Sequence, residues 1–177
     1  MLRMHYYGHP ILRKKAAPVT VFNDDLKAFV NEMKATMREY EGVGLAAPQV
    51  GWSIRCVVID PSKEANNPIV FINPEFTYKS EETLIHEEGC LSFPDLHVDI
   101  SRHKIVSVKA FDENGKSFIV ENAEDLFSRA LQHEIDHIDG LFIIDHISLL
   151  QRKLLKGKLK KISEMNFSET ALSDASE

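Results

Sequence analysis

The stretch His133-Glu134-Ile135-Asp136-His137 has the residue types and spacing for metal-assisted hydrolysis. On an α-helix of about 3.6 residues per turn, positions i and i+4 lie one above the other, so the two imidazoles can meet a single ion. Glu134 stands beside the first imidazole but points elsewhere around the helix, where a carboxylate can carry a proton instead of binding the same ion. Two imidazoles do not make a catalytic site, and a third protein ligand decides which chemistry follows.

Three sources for that ligand separate the alternatives. A metzincin-type peptidase would place a third histidine six residues after the second, where this chain has Ile143. A thermolysin-like site would draw a glutamate from a later helix, and Glu164, set among lysines, is the residue at a plausible distance. Cys90, in Glu87-Glu88-Gly89-Cys90-Leu91-Ser92, is the stronger candidate. A thiolate with two imidazoles gives a tetrahedral ion three protein ligands and one open position, which marks a catalytic and not a structural site. The plainer alternative is a buried thiol behaving as a small hydrophobe. That description suits Cys56, which lies inside a β-branched run.

The elements that must position these residues follow from hydrophobic spacing. Asn23-Asp24-Asp25 caps a helix carrying Leu26, Phe29, Val30, Met33 and Met37 and ending near Gly42. From residue 54 to about 120 the chain reads as β structure, with strands over 54–59, 69–76 and 104–111. Asp112-Glu113-Asn114-Gly115 is a hairpin turn. Asn122 is expected to cap the histidine helix and Asp139-Gly140 to stop it. Leu126, Phe127, Ala130, Leu131, Ile135 and Ile138 surround that helix with apolar side chains, so it should be largely buried. A last helix spans 148–165. The fold class expected is α+β: mainly antiparallel strands wrapped around a buried metal-binding helix, with N-terminal and C-terminal helices outside. One domain should cover residues 1–166, leaving 167–177 as a flexible acidic tail.

Composition bounds the function. With 177 residues the chain can bury about 70% of its unfolded surface without disulfides, and two cysteines are too few for a disulfide scaffold. Apolar residues at 44% and charged residues at 27% are those of a soluble globular protein. A net charge of −6 argues against a general nucleic-acid binder or specific DNA binding. No apolar run approaches a membrane span and the first ten residues lack a signal-type apolar core, so the expectation is a cytoplasmic protein with no membrane partner.

Together, Gly44-Leu45-Ala46-Ala47-Pro48-Gln49, Glu88-Gly89-Cys90-Leu91-Ser92 and the histidine helix resemble the three motifs of peptide deformylases, in the same order. The resemblance covers most of the chain, including the arm Pro10-Ile11-Leu12-Arg13. It implies a hydrolase that removes the formyl group from the N-terminal formylmethionine of newly made polypeptides and releases formate. In that reading Cys90, His133 and His137 hold the metal. Glu134 takes a proton from water and passes it to the leaving nitrogen. The Leu91 N–H and the Gln49 side-chain amide receive the oxyanion. Gly44, next to Val43, pairs main chain to main chain with the substrate, and Glu88 orients the site. Ligand softness suggests zinc; the resemblance moves the expectation to Fe(II), with Zn, Ni or Co as substitutes.

His86, His97, Arg129 and Ala130 should fall near the methionine pocket or its approach. His86, Arg129 and His97 depart from the residues more usual in the family, and the Arg129 stem can line the pocket with its charge outside. Asp136 is expected in a supporting hydrogen bond or against a loop, and His5, His9, His103 and His146 as surface or packing residues. Arg152, Lys153, Lys156, Lys158, Lys160 and Lys161 give the last helix a basic side, either simply solvated or docking to ribosomal RNA. Ile147, Leu150, Leu154 and Ile162 should pack its other side. Two rivals stand beside this reading: another metallopeptidase, acting on unformylated peptides, and a metal-stabilised binding module.

Overall fold

The computed structural model describes residues 1–62 and 67–168. Helix α1 (Asp24–Glu39) starts where the Asn23 side chain accepts a hydrogen bond from the Leu26 N–H, and Asp24 and Asp25 set negative charge against the positive end of the helix. Leu26, Val30, Met33 and Met37 are buried as their spacing predicts, while Phe29 is half-buried and packs edge-on against Trp52.

The strands are β1 (Gly44–Ala46), β2 (Cys56–Ile59), β3 (Ile69–Lys79), β4 (Thr83–Cys90), β5 (Phe93–His103), β6 (Val106–Phe111) and β7 (Ser117–Ala123). An antiparallel sheet runs in the order β1-β2-β3-β6-β7, and β4 and β5 form a separate hairpin. Side chains alternate across β2: Cys56 and Val58 enter the apolar core that holds α1, whereas Val57 and Ile59 enter the core that holds helix α2 (Asp125–Ile138). Burial on both faces is why this strand is a continuous β-branched run. Leu131, Ile135 and Ile138 anchor α2 in the second core, and the helix packs against β1, β2 and β5. The histidines therefore ride on a helix held by both sheets.

Several boundaries differ from the sequence expectation. Asn122 is not the helix cap. Strand β7 runs through it to Ala123, its N–H donates to Ser107 Oγ at 3.0 Å, and Glu124 takes the cap position without a side-chain bond. Pairing with β6 prevails there over local capping. The stop is as expected, with Asp139 as C-cap and Gly140 at φ 76°. A Cβ on Gly140 would lie 2.6 Å from the Arg13 carbonyl oxygen, so the N-terminal arm passes too close for any other residue. Gly89 lies within β4 opposite His97, where a Cβ would come 2.9 Å from His97 Nε2.

The last expected helix is divided at Leu155 into α3 (Leu149–Leu154) and α4 (Lys156–Ser168). Its apolar stripe divides too: Ile162 is buried with Leu159, whereas Leu150 and Leu154 are 68% and 79% exposed. Helix α4 carries Phe167 and Ser168 past the expected limit at 166, and the rest of the acidic tail, 169–177, lies outside the described residues. No helix among the described residues is long and apolar enough to cross a membrane.

Candidate active site

Helix α2 presents His133 and His137 to Cys90, at the end of β4. The Cys90 Sγ and one ring nitrogen of each histidine all lie within 4.8 Å of one another, and Cys90 Sγ is 3.2 Å from His137 Nε2. Among the described residues this is the one group of His, Cys, Asp or Glu so arranged. Neither rival ligand belongs to it: Ile143 is buried in a 3-10 turn, and Glu164 is exposed on α4, 3.9 Å from Lys160.

His133 Nδ1 lies 3.1 Å from Glu88 Oε2. An ionised carboxylate can only accept, so Nδ1 carries the hydrogen and Nε2 keeps its lone pair for an ion. Burial opposes protonation of His133, yet hydrogen bonds to Cys90 and Glu88 outweigh it and raise its pKa well above the ordinary histidine value. The same negative potential favours a metal cation. His137 shifts oppositely: burial and then the His133 charge hold it well below the ordinary value, as the neutral imidazole that ligation needs. One sulfur and two imidazole nitrogens suit a divalent ion and leave a coordination position open.

Glu88 is buried at the centre of an ionic network. Arg102 donates to both of its carboxylate oxygens at 3.0 Å, and Arg129 Nη1 donates at 2.6 Å. Burial alone would raise the Glu88 pKa, but the bonds from His133 and Arg102 hold it well below the carboxylate range. Arg102 continues to Asp136, which also accepts from His146 Nε2 at 2.7 Å. His146 is thus a hydrogen-bond partner of the network. Arg129 corrects the sequence reading: its guanidinium turns inward, donating to the Leu84 and Ile100 carbonyls at 3.0 and 3.2 Å as well as to Glu88, and ties α2 to β4 and β5.

Glu134 is 4% exposed, and its Oε2 has no hydrogen-bond partner among the described residues. Burial pushes its pKa up to about 7. Its side chain lies against Gly44, where a Cβ would stand 2.5 Å from Glu134 Oε1 and 2.8 Å from the carboxyl carbon. Strand β1 thus admits the carboxylate only because position 44 has no side chain. Gly44→Ala should lower kcat by about 10²-fold through misplacement of this one group, with metal content unchanged. Parallel kinetics and metal analysis check this, and full activity with alanine at position 44 would refute it.

Gln49, on a 3-10 turn (Ala47–Val50), accepts from the Ala46 N–H through Oε1 at 2.8 Å; its Nε2 donates to Ser92 Oγ at 3.1 Å and lies 3.8 Å from Cys90 Sγ. A cavity of about 690 Å³ opens over these groups. Val43, Gly44, Gln49, Glu88, Cys90, Leu91, Arg129, Ala130, His133 and Glu134 all line it, as does His97. His137 is buried behind Cys90, and His86 is exposed on β4 outside the lining.

A family model described as polypeptide deformylase matches residues 1–153. The chain belongs to the polypeptide deformylase family. The peptide deformylase of Thermotoga maritima is 46% identical over 163 residues, covering 92% of this chain and 97% of that one. That of Brucella suis is 42% identical over 165 residues, covering 92% and 94%. Among solved structures, a peptide deformylase from Legionella pneumophila superposes with a TM-score of 0.87 at 39% identity, covering 94% of this chain and 97% of the other. One from Plasmodium falciparum gives 0.86 at 35% identity, covering 94% and 98%. As a deformylase, the chain is a metal-dependent hydrolase that removes the formyl group from N-formylmethionine polypeptides.

Two residues of this deformylase bear on the site without having been singled out from sequence, Arg102 and Ser92. Arg102 carried a usable signal. Leu96, Val98, Ile100 and Arg102 share one face of β5 by period-2 alternation, and an arginine on a buried face must have a carboxylate partner. Ser92 ends the Glu88-Gly89-Cys90-Leu91-Ser92 motif, but its role was hidden because its partners come from distant segments.

Proposed function

We propose that Cys90, His133 and His137 hold one ferrous ion, replaceable by zinc, nickel or cobalt, and that the cavity above them takes the formylmethionine end of a nascent polypeptide. The convergence of three ligand atoms within 4.8 Å beside an unpartnered Glu134 oxygen carries this reading. When bound, the ion would polarise the formyl carbonyl and lower the pKa of water. Glu134 takes the water's proton and hands it to the leaving nitrogen; a pKa near neutrality serves both halves of that transfer. The Leu91 N–H and the second Gln49 Nε2–H donate to the oxyanion. Strand β1 pairs with β2 on one side, which supports pairing of Gly44 with the substrate main chain on the other. Val43, Ala130 and the aliphatic stem of Arg129 line the methionine side, and Glu88 acts on His133. The exposure of His86 favours a place beyond the pocket. Both apolar cores draw on β2, which supports reading residues 1–166 as one folding unit.

Iron-loaded protein assayed without oxygen should release formate from formyl-Met peptides faster than from formyl-Leu or formyl-Phe peptides. Air should inactivate it as iron or the Cys90 thiolate is oxidised. Absence of formate from metal-loaded protein would overturn the reaction; unchanged activity after aerobic storage of verified iron protein would overturn only the metal.

The substrate class supports a cytoplasmic location and contact with the ribosome through α3 and α4. Lys153, Lys156 and Lys161 are exposed there, although Arg152 is engaged by Asp145 and the Ile144 carbonyl. Reversing those three lysine charges should abolish cosedimentation with ribosomes at low salt. Equal pelleting of both proteins would end the idea.

A further inference from the structure

The Gln49 amide is held in a single orientation by the polarity of its neighbours. A backbone N–H only donates, so the atom 2.8 Å from the Ala46 nitrogen must be the amide oxygen, and the –NH₂ must face the other way. There it meets Ser92 Oγ at 3.1 Å. The Ser92 hydroxyl has one proton, donated to the His5 carbonyl oxygen at 2.8 Å, and that oxygen can only accept. Ser92 can therefore face Gln49 only with a lone pair. The chain of donors runs one way, from Gln49 through Ser92 to His5, and it leaves the second Gln49 N–H on the side of the metal ligands, where it makes a long bond to Cys90 Sγ at 3.8 Å that an oxyanion can replace.

The same short segment also fixes both residues by main chain. The His5 N–H donates to the Gln49 carbonyl at 2.7 Å, and the Tyr7 N–H donates to the Ser92 carbonyl at 2.9 Å. Gln49 and Ser92 are 1% and 0% exposed, so water does not compete for these bonds.

We infer that Ser92 is a positioning residue for the Gln49 amide, locked by the His5 carbonyl, and that the N-terminal arm thereby sets the aim of the oxyanion donor. This rests on the oxyanion role proposed for Gln49. An alanine at position 92 leaves a buried N–H without its acceptor, with the long bond to Cys90 Sγ as the remaining hold on the –NH₂. The transition state loses a fixed donor, while substrate main-chain contacts along β1 are untouched.

The test is a double-substitution cycle with metal content measured in every protein. Ser92→Ala should lower kcat by about tenfold, less than loss of a whole oxyanion donor, with KM little changed. Ser92→Thr, which keeps the hydroxyl, should retain most of the rate. In a Gln49→Met background Ser92→Ala should cost less than about twofold, because nothing remains to be positioned. An equal loss in both backgrounds, or a loss carried by KM, overturns the inference. A Gln49→Met protein with undiminished kcat would instead remove the oxyanion role of Gln49 itself, and the inference with it. In zinc-loaded wild type, NMR supplies a reading that needs no variant: the Gln49 side-chain amide proton facing Ser92 should be protected from solvent exchange. Exchange as fast as that of an exposed glutamine overturns the lock.

Discussion

Replacing Glu134 with glutamine should lower kcat for formate release by about 10²- to 10⁴-fold, the range lost when a positioned proton carrier is removed. Metal content should not change, because Glu134 stands outside the Cys90, His133 and His137 cluster. Folding should not suffer either. Glu134 Oε2 has no hydrogen-bond partner among the described residues, so the neutral amide forfeits no bond there and relieves a buried charge. The expected signature is a protein that melts no lower than wild type, binds metal normally and barely turns over. Glutamine fills nearly the same volume against Gly44, so the substitution keeps the shape of the cavity and removes only the ability to accept a proton. Measuring kcat, bound metal and Tm on one preparation checks all three. A kcat within about tenfold of wild type would transfer the proton to another group, since general acid–base help is ordinarily larger than that.

What the sequence made legible were the residues whose role depends on local spacing. His133 and His137 face one way because a helix repeats, and the strand over β2 is read from β-branched side chains alone. What it concealed depends on where distant segments meet. Helical spacing puts Arg129 at the pocket, which it lines, but hides that its guanidinium is captured by Glu88 and two carbonyls of the β4–β5 hairpin, none of them near in sequence. Asn122 reads as a cap, but it lies at a break in the β6–β7 register, where its N–H donates to the Ser107 hydroxyl. The break at Leu155 was invisible because the apolar stripe continues through Leu150 and Leu154, and only packing determines that those two stay exposed. Ser92 is the extreme case: its two side-chain bonds reach 43 and 87 residues along the chain.

Glu88→Ala should be the most damaging change to stability outside the apolar cores. It removes a carboxylate that serves three groups: the Nδ1–H of His133 loses its partner, while Arg102 keeps only Asp136 and Arg129 only the Leu84 and Ile100 carbonyls, with the Arg102 and Glu88 side chains 5% and 4% exposed. Breaking a buried ion pair from one side costs about 3–5 kcal/mol when the surviving charge is left unpaired, and the Asp136 partner of Arg102 sets the loss toward the lower end. Metal affinity should fall about 10- to 100-fold as well, since the His133 ring loses the partner that fixes its tautomer. Glu88→Gln should do less harm, keeping an acceptor for Nδ1 while losing the charge. The pH dependence separates this ionic account from simple loss of packing. The Glu88 pKa is depressed by folding, so its contribution is fully present above the unfolded carboxylate value of 4.5 and disappears as pH falls below that value toward the folded one. The stability gap between wild type and Glu88→Ala should therefore be widest near neutrality and narrow through acid. Denaturant melts at several pH values, with chelator competition for the metal, provide the measurement. A gap independent of pH would mean that Glu88 stabilises the hairpin by shape and not by charge.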